Sequence, residues 1–249
     1  MVKPVLLIRG ESNDVDAHAL NERGIPTLID PYLEVSISAD PTEGMELFGR
    51  LRSAKGPLWV IATSRNAMRF WALIVGEDRL QSEIQVHKNL KFAAIGDASA
   101  DALHSYGASE VFLPSNSQAQ TLAEELVAQY PISHVLLPGG NLAMTNLPDI
   151  LTSAGWTVLS AAVYTIEKVA IEPASAQGVR TGEFSAVLLR SPSAVDALTH
   201  FVPQPQVRLV CAGPTTASAV QAHGLKVDAI SPQPTPDAVA EAIHNLIFG

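Results

Sequence analysis

Five stretches of this sequence place small polar residues directly after an apolar run and ahead of a helical pattern. They are Thr63-Ser64-Arg65-Asn66, Gly96-Asp97-Ala98-Ser99, Gly139-Gly140-Asn141, Ser191-Pro192-Ser193 and Gly213-Pro214-Thr215-Thr216. A loop that opens a helix offers backbone N–H groups with no intrahelical partner, and the positive end of the helix dipole. Such an end holds an anion without Lys or Arg, and nearby hydroxyls add donors. The chemistry these loops suit is the binding of carboxylates or phosphates. The same Ser and Thr are also ordinary helix caps, each worth about 1 kcal/mol. No single loop therefore decides the matter. All five fall beyond the carboxyl ends of predicted strands, where ligands bind in parallel α/β sheets, and that shifts the reading toward a ligand.

Tyr164 differs in kind. It follows the apolar run Thr157 to Val163 and begins a stretch to Glu172 with no helix pattern, which reads as a linker. A phenol at such a joint packs an apolar ring and presents a polar tip, so it suits either packing or proton donation. Other chemistries lack a carrier. There is no GxGxxG fingerprint, no GxxxxGK[ST] phosphate loop and no GxSxG elbow. The seven histidines include no HxH or HxxxH, so no metal site is expected. Cys211 lies inside the apolar run Val207 to Ala212 and reads as an inert core residue.

Composition narrows the partners. Hydrophobic residues make up 47% and charged residues 16% of the 249, which supports a packed core rather than disorder. A net charge of −9 argues against nucleic acid and against anionic lipid, both of which call for a basic surface. One cysteine rules out an intrachain disulfide. The apolar run Val5 to Ile8 is too short for a signal peptide, and no stretch approaches a membrane span. A cytoplasmic location is the expectation.

The elements that must position these loops alternate. Strands are predicted at Val5–Ile8, Thr27–Ile29, Leu33–Ile37, Leu58–Ala62, Phe92–Ile95, Val111–Leu113, His134–Leu137, Thr157–Val163, Ala186–Leu189 and Val207–Ala212. Helices are predicted between most of them and over Asp237–Ile247. Apolar strands separated by helices imply parallel sheets covered on both faces. The pattern also repeats. Gly96-Asp97-Ala98-Ser99-Ala100 matches Gly213-Pro214-Thr215-Thr216-Ala217 at an offset of 117 residues, which persists through Gly107 and Gly224. Thr63-Ser64-Arg65-Asn66-Ala67 matches Arg190-Ser191-Pro192-Ser193-Ala194, and Val5 to Gly24 matches Val135 to Gly155 more loosely. Two similar βα domains follow. The repeat allows them to lie in succession or one inside the other.

In order along the chain, Val5-Leu6-Leu7-Ile8-Arg9, Ala62 to Ala67, Ala94 to Ala100, Gly155 with Val163-Tyr164-Thr165, Ser191 to Ala194, Gly213 to Ala217 and Pro234-Thr235-Pro236-Asp237-Ala238 resemble the motifs of uroporphyrinogen-III synthases. The resemblance runs from about Val5 to Ile247. It implies an α/β fold of two similar flavodoxin-like parallel-sheet domains joined by a two-stranded linker. Domain 1 would be residues 1–33 and 171–249, the inserted domain 2 residues 37–165, and the linker strands 34–36 and 166–170. It implies cyclisation of hydroxymethylbilane to uroporphyrinogen III, with loss of water and inversion of the terminal pyrrole ring through a spiro intermediate. No cofactor or metal is implied, and a monomer is expected.

Carried over, the family's tyrosine matches Tyr164, which would assist departure of the hydroxyl. Substrate contacts would come from Thr63, Ser64, Asn66, Ser99, Gly140, Ser191, Ser193, Thr215 and Thr216, with Arg9, Arg65 and Arg190 near three of the loops. The sequence departs from the family pattern twice. Pro138-Gly139-Gly140-Asn141, followed by Thr145-Asn146, stands where many members have Arg-Gly and a later Arg, and Arg9-Gly10 stands where many have Arg-Pro. Cationic contacts from those places are not carried over. A two-lobed binding or regulatory protein for a small anion would show the same repeat without catalysis. A sugar-phosphate isomerase-like reading lacks a placed acid–base side chain.

Overall fold

The computed structural model describes residues 2–142 and 146–249. Strand β1 (Val5–Leu7) is followed by α1 (Asn13–Asn21), β2 (Thr27–Ile29) and β3 (Leu33–Ile37). Then come α2 (Thr42–Ser53), β4 (Leu58–Ala62), α3 (Arg65–Val75), α4 (Glu77–Val86), β5 (Leu90–Ala94), α5 (Asp97–Ser105) and α6 (Ala119–Gln129). Strand β6 (His134–Gly140), α7 (Asn146–Ser153) and β7 (Thr157–Lys168) lead to α8 (Ala176–Thr181) and β8 (Ala186–Leu189). The chain ends with α9 (Pro192–Phe201), β9 (Arg208–Cys211), α10 (Pro214–Ala222), β10 (Ala229–Ile230) and α11 (Pro236–Phe248).

Two compact units result: Met1–Val35 with Glu167–Gly249, and Ser36–Ile166. The first holds a sheet ordered β10-β9-β8-β1-β2, and its recorded pairings are all parallel. In the second sheet, ordered β3-β7-β6-β4-β5, β7, β6, β4 and β5 run parallel. Strand β3 runs against β7. Ser38 N–H donates to Val163 C=O and Val169 N–H to Tyr32 C=O, both at 3.1 Å, so one strand's numbers rise as the other's fall. Both strands cross the boundary between the units.

The continuous apolar strands explain the layering. All five residues of β4 are buried, Trp59 and Ile61 among them. Burying a large apolar side chain contributes about 1.5–3 kcal/mol, which favours covering both faces of the sheet with helices. In the first unit Leu7, Leu20, Ile25, Leu188, Val210 and Ile243 form a core. In the second, Trp59, Leu122, Leu126, Val135, Leu151 and Trp156 form another, with Tyr130 packed edge-on to Trp59 at 4.9 Å.

The sequence repeat reappears as repeated backbone geometry. Ser64 caps α3 with φ −154° and ψ 156°, and Ser191 caps α9 with φ −154° and ψ 160°. Gly96 and Gly213 precede α5 and α10 in extended conformations that agree within about a dozen degrees in φ. Gly107 and Gly224, matched by the offset of 117, both adopt positive φ, at 103° and 72°. Gly24 and Gly155 do the same after α1 and α7, at 71° and 89°. Positive φ strains any residue with a Cβ, so glycine stands at each of these helix ends.

Several elements differ from the sequence-based expectations. Helices α2, α4 and α8 and strand β10 fall in segments given no element. In α2 the apolar pattern is broken by Gly44, which is where α3 packs. A Cβ at Gly44 would meet Ile74 Cδ1 at 2.9 Å, and Gly44 C=O accepts from Trp71 Nε1–H at 2.8 Å. Val111 to Leu113 makes only one isolated bridge, Ala93 to Phe112. The stretch read as a linker from Thr165 begins as strand, since β7 continues to Lys168. Thr145 lies outside the described residues.

Candidate functional site

The carboxyl ends of β7, β6 and β4 bring three of the singled-out residues together in the second unit. Tyr164 lies in β7 opposite Gly140 of β6. Its hydroxyl is 3.0 Å from Ser64 Oγ, at the end of β4. Its ring stacks on Phe70 of α3, with centroids 5.4 Å apart and planes inclined by 25°. Arg69 places its guanidinium over the other partner of this stack, 4.4 Å from the Phe70 centroid. Tyr164 is only 7% exposed, so the ring is held by packing while the oxygen has a hydroxyl partner.

Ser64 is oriented by its own helix. Its Oγ accepts from the Ala67 N–H at 3.2 Å, the usual bond of a capping residue. One lone pair is thereby used; the other lone pair and the O–H both remain, so either hydroxyl of the Ser64–Tyr164 pair can donate. The neighbouring Thr63 and Asn66 are half-buried. Ser99 is buried in the first turn of α5, and its N–H donates to Gly96 C=O at 3.0 Å.

The reading of Gly139-Gly140-Asn141 as a helix-opening loop is overturned. Strand β6 runs on through Pro138, Gly139 and Gly140, and α7 begins only at Asn146. The pairing with β7 continues beyond the apolar run, so Gly140 sits in a strand rather than at a helix N-terminus. Its lack of a side chain has a different use. A Cβ there would lie 2.6 Å from Tyr164 Cε2, 2.7 Å from Cζ and 3.0 Å from the hydroxyl. The tyrosine ring occupies that space.

In the first unit, Ser191, Ser193, Thr215 and Thr216 lie after β8 and β9. Ser191 Oγ accepts from Ala194 N–H at 3.3 Å and is 2.9 Å from Ser193 Oγ. Thr215 is exposed and Thr216 buried. Arg190 is committed elsewhere. Its Nε–H donates to Asp16 Oδ2 at 3.0 Å, a second nitrogen donates to Asp16 Oδ1, and a third to Pro234 C=O. It therefore braces the loop from behind. Burial pushes the Cys211 thiol up to about 11, which leaves it protonated near neutral pH. The folded protein should not react with an aromatic disulfide reagent within minutes, and should react once denatured. Prompt stoichiometric labelling of the native protein would contradict this.

The family model described as Uroporphyrinogen-III synthase HemD matches residues 14–241. The chain belongs to the uroporphyrinogen-III synthase family. The synthase fold is met again in solved structures. A uroporphyrinogen-III synthetase from Helicobacter pylori is 17% identical with a TM-score of 0.67, over 98% of this chain and 100% of that one. A mutant uroporphyrinogen III synthase from Thermus thermophilus is 15% identical with a TM-score of 0.62, over 97% and 98%. A comparison with curated proteins gives no match. As a member of this synthase family, the protein is a lyase that cyclises hydroxymethylbilane to uroporphyrinogen III, with loss of water and inversion of the terminal pyrrole ring. Among the described residues no helix is long and apolar enough to cross a membrane.

Proposed function

We propose that Tyr164 is the catalytic side chain of this synthase, and that Ser64 sets the direction of its proton. The observation that carries the reading is the 3.0 Å pair between Ser64 Oγ and the Tyr164 hydroxyl. Either hydroxyl of this pair can donate, since Ser64 Oγ keeps one lone pair beyond its bond from Ala67 N–H; the productive arrangement is the one in which Ser64 O–H donates to the phenol oxygen. The phenol proton then points away from Ser64 and is available to the departing substrate hydroxyl. The C–O bond breaks as that hydroxyl takes the proton and leaves as water, with the pyrrole nitrogen supplying the electron pair. Ring closure needs no further activated group, because a substrate held in a near-closed geometry gains several kcal/mol from orientation alone.

The hydroxyls of Thr63, Ser64, Ser99, Ser191, Ser193, Thr215 and Thr216, the Asn66 amide and the N–H groups that open α3, α5, α9 and α10 bind the substrate carboxylates. Capping positions at these helices support that assignment. An acidic protein binding a polyanion fits this arrangement, since oriented dipoles replace basic side chains. Residues 1–33 with 171–249 and residues 37–165 act as two domains joined by linker strands 34–36 and 166–170. The enzyme works as a cytoplasmic monomer that binds no nucleic acid. Incubated with hydroxymethylbilane, the purified protein should give the type III isomer, resolved chromatographically from type I. A product consisting only of type I, the spontaneous isomer, would overturn the reading.

A further inference from the structure

Beyond the phenol and Ser64, the geometry points to Asn141 as a positioning residue for Tyr164, an inference that rests on the catalytic reading of that tyrosine. The β6–β7 register shifts by one residue at this point. Gly139 stands opposite Ala162, but Gly140 stands opposite Tyr164, so Val163 is the extra residue of a bulge. A bulge re-aims the side chain that follows it, and it leaves the local backbone with fewer ladder bonds to hold the new direction. Asn141 supplies them. Its N–H donates to Tyr164 C=O at 3.0 Å. Its side-chain Oδ1 accepts from Ile166 N–H at 2.9 Å, and its Nδ2–H donates to Ile166 C=O at 3.4 Å.

One exposed side chain thus imitates the next residue of a strand. It binds both polar groups of Ile166, two residues beyond the tyrosine, where β6 has ended. An exposed asparagine gains little by being ordered unless the order holds something else. What it holds is the peptide segment from Tyr164 to Ile166, and with it the direction of the phenol toward Ser64. Gly140 makes room for the ring; Asn141 keeps the backbone beneath it in register.

The test is a double-mutant cycle on the purified enzyme, with kcat and KM for type III formation measured for Asn141→Ala, Tyr164→Phe and the pair. Asn141→Ala should lower kcat about 10-fold, since small misplacements of a reacting group cost one to two orders of magnitude. KM should stay within about twofold, because no substrate contact is removed. In the Tyr164→Phe background the same change should cost less than about twofold more, since there is no phenol left to aim. Asn141→Asp keeps the 2.9 Å acceptor for Ile166 N–H and should recover part of the loss. If the alanine variant does not fold, Asn141→Asp and Asn141→Ser carry the cycle. Wild-type kcat in Asn141→Ala, or losses that multiply with Tyr164→Phe, would overturn the positioning role. A Tyr164→Phe enzyme with wild-type kcat would instead remove the catalytic reading, and this inference with it.

Discussion

Replacing Tyr164 by Phe should lower kcat for type III formation about 100-fold, the low end of what a positioned proton donor contributes. Stability should change by only about 1 kcal/mol, the net worth of one hydrogen bond, because the ring keeps its stack on Phe70. Urea denaturation and steady-state kinetics together separate the two effects. The prediction is specific to the hydroxyl. A second variant reaches the same group by another route. In Gly140→Ala the new Cβ would overlap the ring at 2.6 Å, against the rigid backbone of β6. The ring must move off Ser64, so the loss in kcat should match that of Tyr164→Phe. An enzyme with Tyr164→Phe and undiminished kcat would show that the leaving hydroxyl finds its proton elsewhere. If Tyr164→Phe is slow but Gly140→Ala is not, the phenol works without the position seen against Gly140.

The strands and helix ends were legible because they rest on local rules. Apolar runs of four or five residues predict buried strands, and Ser64 and Ser191 predict caps from their place before a helix. Gly24, Gly107, Gly155 and Gly224 predict helix ends, and all four adopt the positive φ that the rule needs. What local rules missed depends on a neighbour distant in sequence. Helix α2 was hidden by Gly44, whose reason for being there is Ile74 and Trp71 on α3. Asn141 read as part of a helix-opening loop, because its partner Ile166 lies 25 residues further on. Gly139-Gly140 read as a loop because paired glycines usually punctuate a strand, whereas here β6 continues through them beside β7.

Close approach of a neighbouring segment is common to Gly10 and Gly140. A Cβ at Gly10 would meet Val35 Cγ2 at 2.8 Å and Leu33 C=O at 3.0 Å, just as one at Gly140 would meet Tyr164. In the proposed binding role, carboxylate contacts fall on the hydroxyl and N–H groups of the strand-to-helix loops, Ser191 and its neighbours among them, and so on what keeps those loops in place.

The brace behind Ser191 gives the largest expected effect on stability. Asp16 is 2% exposed and Arg190 10%, counted over their side chains, and Arg9 approaches the same carboxylate at 3.9 Å. The Arg190 guanidinium forms a two-pronged pair with Asp16 and also reaches Pro234 C=O. One side chain thus ties α1, the turn from β8 into α9 and the segment before α11. Asp16→Ala removes the anion and leaves a nearly buried cation, a change that costs about 3–5 kcal/mol. Equilibrium urea unfolding should show that loss, and KM should rise as the Ser191 loop loosens. The charge itself is not what the fold requires. Replacing both partners by apolar residues of similar volume, Asp16→Leu with Arg190→Met, should recover most of the stability, because two desolvation costs disappear together. The same pair should not recover KM, since neither replacement can hold Pro234 C=O or orient Ser191. A loss below about 1 kcal/mol for Asp16→Ala, the range of exposed pairs, would show that water reaches this site and that the Ser191 loop is held by its own cap alone.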